Sequence, residues 1–67
     1  MFLIKKRIEC LRGLFNIGQV DENDFMLRFV PAGKICVVIG KKHFKTVDEA
    51  EAYALFLDVN GFSKADL

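Results

Sequence analysis

Between Phe25 and Thr46 the chain sets cations among apolar side chains, and no acid falls in the interval. Arg28, Lys34, Lys41, Lys42, His43 and Lys45 stand beside Met26, Val30, Cys36 and Val38. Lys and Arg neutralise phosphates, and Arg also offers two parallel donors to a guanine edge, while small apolar groups meet thymine methyls. A β-ribbon fits the width of a DNA major groove, so these cations on one sheet face form the expected nucleic-acid-binding set. The same pattern without a ligand is a solvated sheet face whose aliphatics the N-terminal segment covers.

Other chemistries find less to work with. His43 is the only histidine, and Cys10 and Cys36 show no metal-type spacing. A Cys–His nucleophile would lack a third group to orient the imidazole. Asp21-Glu22-Asn23-Asp24 has oxygen ligands but neither the Gly nor the closing Glu of an EF-hand loop. Thr46 and Ser63 are the only hydroxyl residues of their types, and no Gly-rich phosphate loop occurs. The expectation is a non-catalytic protein with no cofactor and no metal.

The elements that position the cations are legible to different degrees. Thr46-Val47-Asp48-Glu49 is a capping box, in which Thr46 accepts from the Glu49 N–H and Glu49 reaches back to the Thr46 N–H. Gly61 suits the C′ position of a Schellman motif, with Phe62 touching Leu57, so a helix is predicted from Val47 to Val59. Its stripe of Val47, Ala50, Ala54 and Leu57, with Tyr53 at the margin, faces a core. Leu55, Phe56 and Val59 lie off that stripe, an apolar ridge expected to bind a partner, a second copy or the N-terminal segment.

From Phe25 to Lys45 the period is two. Pro31-Ala32-Gly33 reads as a turn with Gly33 left-handed, which would set Phe29 opposite Ile35, Leu27 opposite Val37 and Phe25 opposite Ile39 as one core face. Gly40-Lys41 would then turn the chain back, placing Phe44 beside Val37. In residues 1–17, Ile4, Ile8, Leu11 and Phe15 fall at helical spacing, while Phe2, Ile4, Ile8 and Cys10 alternate as in a strand. The helix is the favoured reading. The fold class predicted is therefore one α+β domain, a three-stranded antiparallel sheet on a C-terminal helix with an N-terminal helix, αβββα.

Strand, Pro31-Ala32-Gly33-Lys34 turn, strand, Gly40-Lys41-Lys42, then His43-Phe44-Lys45-Thr46 running into Asp48-Glu49-Ala50-Glu51-Ala52-Tyr53 resembles the arm-type (AP2-like) DNA-binding domain of phage and conjugative-transposon integrases. The resemblance covers about residues 25–58. It implies a three-stranded sheet that enters the major groove with a helix behind it, and it carries over no recombinase activity.

Composition bounds the rest. A chain of 67 residues with 52% hydrophobic residues is one small domain. The net charge of +1 is too small to imply a polyanionic partner, but its distribution is dipolar. The strand region is basic, whereas the final helix carries Asp48, Glu49, Glu51 and Asp58 with no base. No signal peptide and no apolar run long enough to span a membrane is present, so the expected location is the cytoplasm, with reduced cysteines. Two functions are carried forward. The first is a DNA-binding accessory protein of a phage or mobile element; the second is a protein-binding module that docks on a larger host protein, with a homodimer possible in either case.

Overall fold

A computed structural model describes residues 1–67. Four strands, β1 (Leu3–Cys10), β2 (Gly13–Asp21), β3 (Asp24–Pro31) and β4 (Val38–Ile39), precede one helix, α1 (Val47–Asn60), and a 3₁₀ turn at Lys64–Asp66. The strands form an antiparallel sheet in the order β1-β2-β3-β4. The class is α+β, but the predicted N-terminal helix is absent: residues 3–21 are two strands, and the sheet has four strands rather than three.

The alternation of Ile8 and Cys10, continued by Phe15 and Ile17, prevails over the helical spacing because it gives each residue a cross-strand partner. Ile8 pairs with Phe15 and Cys10 with Gly13 around a two-residue Leu11-Arg12 turn. Phe15 in turn opposes Phe29, and Ile17 opposes Leu27. These four, with Ala50, Ala54 and Leu57 of α1 and with Leu67, make up the buried core. Phe62 closes one end, its ring centroid 5.7 Å from Phe15 and 4.9 Å from Phe29.

The segment after β3 departs from expectation by register. Phe29 opposes Val38 rather than Ile35, a shift of an odd number of residues, and such a shift turns every side chain to the other face. Val38 therefore packs against the core, while Ile35, Val37 and Ile39, expected inside, are exposed. The chain does not turn back at Gly40-Lys41. It runs on beside β3, where Gly40 N–H donates to the Leu27 carbonyl and Phe44 bridges to Phe25 rather than lying beside Val37. Gly33 has the expected positive φ, 73°.

The helix starts as its local sequence dictates. Thr46 Oγ1 accepts from Glu49 N–H at 3.1 Å, but the Glu49 carboxylate takes the Lys45 N–H at 3.2 Å instead of that of Thr46. Asp48 and Glu49 lie in the first turn. At the other end a single bond, Gly61 N–H to the Leu57 carbonyl at 2.8 Å, replaces the paired bonds of a Schellman motif, and the chain leaves extended toward Phe62. Thr46→Ala is expected to lower stability by about 0.5–2 kcal/mol, as loss of an N-cap oxygen does. Thermal unfolding followed by circular dichroism checks this, and an unchanged midpoint would remove the cap from the account.

Candidate nucleic-acid interface

Directly opposed residues of an antiparallel pair share a sheet face, so the pairings lay out both faces row by row. The rows Ile8–Phe15–Phe29–Val38 and Lys6–Ile17–Leu27 face α1. The rows Glu9–Leu14–Val30, Arg7–Asn16–Arg28–Ile39 and Ile4–Gly18–Met26 face away. α1 is the only α-helix, so this second face carries no packed helix.

Its central row joins two guanidiniums through an amide across three adjacent strands. Phe2 reaches back over this face. Its ring occupies the space a Cβ at Gly18 would need, the nearest ring carbon being only 2.3 Å from that position, and the Arg28 guanidinium carbon lies 4.0 Å from the ring centroid. A cation held over an aromatic face is stabilised by about 0.5–1 kcal/mol or more, and the guanidinium is thereby fixed in place. Asn16 Oδ1 and Arg28 Nε are enclosed and make no hydrogen bond within the protein. Such orphaned polar atoms are rare in native structures and mark a place with unspent hydrogen-bonding capacity.

Glu9 shares this face, whereas the acids of α1 lie on the other side. Lys6 Nζ is 2.8 Å from the Glu51 carboxylate. Arg12 donates from Nε to the Asp58 carbonyl at 2.8 Å and from its backbone N–H to Asp58 Oδ1 at 3.3 Å. Lys6 is thus ion-paired with a helix acid and the Arg12 guanidinium is held by a helix carbonyl, while Arg7 and Arg28 have no ion-pair partner. The dipolar distribution expected from the sequence takes this form in space.

The binding set expected from the sequence does not assemble on one face. Only Arg28 sits within the uncovered face. Lys34 and Lys41 are exposed in the irregular segments on either side of β4. Lys42 Nζ lies 5.4 Å from the Tyr53 ring centroid, toward α1. His43 Nδ1 meets Asp24 Oδ1 at 2.7 Å, and Lys45 is exposed just before α1. Arg7 and Asn16 are the members that sequence reasoning missed. The alternation through Ile8 and Cys10 was the available signal, since as a strand it places Arg7 opposite the apolar side.

No family model, curated protein or solved structure matches this chain.

Both cysteines are free thiols. Cys36 is exposed, and burial together with the nearby Asp58 carboxylate pushes the Cys10 thiol up from its ordinary pKa. Cys10 Sγ lies 3.7 Å from the Ile8 carbonyl, which accepts its weak hydrogen bond. No three His, Cys, Asp or Glu side chains group as metal ligands do. No helix is long and apolar enough to cross a membrane.

Leu55, Phe56 and Val59 do not pack under the N-terminal segment. They are 45%, 59% and 80% exposed: the contacts from the N-terminal segment to α1, Lys6–Glu51 and Arg12–Asp58, leave all three uncovered.

Proposed function

We propose that this chain is a small non-catalytic duplex-DNA-binding module, an accessory of the kind phages and mobile elements encode. It works in the cytoplasm through the sheet face turned away from α1. The observation that carries the reading is the Arg7–Asn16–Arg28 row on an uncovered antiparallel sheet. Arg pairs with guanine O6 and N7, and a sheet presents adjacent strands to adjacent steps of the groove. The resemblance of residues 25–58 to arm-type integrase domains supports the same docking mode, with a sheet against DNA and a helix behind it. The acidic helix is then held away from the phosphates. The low net charge implies modest affinity without base contacts.

The test is a salt titration of binding to random duplex DNA. Phosphate neutralisation by Arg7 and Arg28 predicts a slope of log K on log salt of about −2, at about 0.9 per contact. Arg7→Ala with Arg28→Ala should flatten it by about two units, whereas Lys42→Ala should change it little. Asn16→Ala should keep the slope, because the enclosed Asn16 Oδ1 reaches no phosphate. Absence of duplex binding at ~50 mM salt, where screening is weak, would hand the function to a protein-binding module docking on a larger host protein. The exposed ridge Leu55, Phe56 and Val59 favours that second reading.

A further inference from the structure

The β4 edge of the sheet differs from the β1 edge in a way that the DNA reading does not use. β1 carries Lys5, Lys6 and Arg7, and charge of this kind keeps a strand edge from pairing with other chains. The opposite edge is the run Ile35-Cys36-Val37-Val38-Ile39, with no charge. Ile35 is fully exposed, and Val37 and Ile39 are 52% and 65% exposed. Ile35, Cys36 and Val37 make no backbone hydrogen bond to the rest of the chain. Because the Gly40 N–H bonds inward to Leu27, the alternation of an antiparallel strand turns the backbone groups of Ile39 and Val37 outward. Beside this edge lies an open hollow of about 570 Å³ lined by Val37, Ile39, Ala65 and Leu67, with Lys41 and Lys64 as its only charged side chains.

The geometry points to strand addition at this edge by an extended peptide of a partner protein, apolar and alternating at its centre and acidic at its flanks. Outward N–H and C=O groups supply main-chain pairing, and pockets for alternate side chains supply specificity, as in other β-augmentation sites. Charge selects the occupant. Lys34, Lys41 and Lys64 bracket the apolar run with no Asp or Glu among the residues lining the hollow. A second copy is disfavoured by the same charges. Symmetric antiparallel pairing about Val38 brings Lys34 of one chain against Lys42 of the other, pairing about Val37 sets Lys34 against Gly40 beside Lys41, and like charges brought together across strands destabilise the pair. This inference stands apart from the DNA reading, since it uses an edge rather than the uncovered face.

The experiment uses the full chain and a blocked synthetic peptide, Asp-Glu-Val-Thr-Val-Thr-Val-Glu-Asp, with a control carrying Lys at every acidic position. Titration followed by amide NMR should shift Val37 and Ile39 and slow their hydrogen exchange. The acidic peptide should bind about tenfold or more tightly than the control, through the complementary charge at the rim. Val37→Pro removes one outward N–H but none of the bonds to β3, so it should abolish peptide binding with an unchanged circular dichroism spectrum. Lys41→Glu with Lys64→Glu, which alters no backbone donor, should reverse the preference between the two peptides. Equal response to both peptides, no shift at Val37 and Ile39, or protection of these amides that grows with protein concentration alone would overturn the proposal. The last outcome would assign the edge to a second copy.

Discussion

Phe15→Ala is expected to leave most of the protein unfolded or close to its midpoint at room temperature. Phe15 is fully buried, and its ring meets Phe29 at 4.7 Å and Phe62 at 5.7 Å between centroids. Truncation of a core Phe to Ala costs about 3–5 kcal/mol through lost transfer energy and the cavity left behind. Tilted and edge-to-face aromatic pairs add about 0.5–1.5 kcal/mol each beyond their area. A domain of this length has a total stability of roughly 3–10 kcal/mol, so one substitution removes much of it. Urea unfolding followed by the Tyr53 signal measures the loss. Phe56→Ala, on an exposed ring, is the control and should stay within about 0.5 kcal/mol of the parent. If Phe15→Ala also stayed there, β2 would not be part of the core sheet.

Gly13→Ala is expected to cost about 3 kcal/mol, a large value for the addition of one methyl group. Gly13 begins β2 with φ at 150°, and a Cβ there would fall 2.2 Å from the Val30 carbonyl oxygen, 2.9 Å from the Ala32 nitrogen and 3.0 Å from the Phe29 ring. Two of these neighbours are backbone, and neither can yield without parting β2 from β3. The Ala32 N–H bond to the Arg12 carbonyl, 2.9 Å long, spans the same corner and would be strained as well. Gly33→Ala separates the two contributions. Gly33 also has positive φ, 73°, but nothing lies within 4 Å of its Cβ position, so only the backbone preference of about 1–2 kcal/mol is lost. Equal losses at the two sites in urea unfolding would mean that close strand approach is not what position 13 requires.

The consequences differ for function. Arg7 and Arg28 share one row only through the intervening Asn16 strand, so damage at Gly13 should disturb the proposed binding face together with the fold. The β4 edge is held by few pairings to β3 and by the Leu67 carbonyl, which accepts from the Lys41 and Lys42 N–H groups. An edge so lightly held can adjust to an added strand at low cost, as binding segments commonly do.

Residues 46–61 were legible in the sequence because what limits α1 is local. The Thr46 cap, the acids of the first turn and the Gly61 N–H bond to Leu57 all act within a few residues, and the buried stripe Ala50, Ala54 and Leu57 follows from helical period alone. The strand character of Phe25, Leu27 and Phe29 was legible for a similar reason. The rest depended on pairing partners far along the chain. Ile4 and Ile8 satisfy both a helical and a strand period, and only the opposition of Ile8 to Phe15 and of Phe15 to Phe29 decides between them. With that pairing, Phe29 gains Phe15 as a core neighbour, and the segment after β3 is free to take a register offset by an odd number, which sends Ile35, Val37 and Ile39 outward. The charges followed the strands. Lys6 and Arg12 went to α1, and Arg7 and Arg28 were left together on the uncovered face. A short sequence window records which side chains alternate, but the choice of face is made by long-range hydrogen bonding and burial, which tertiary structure alone decides.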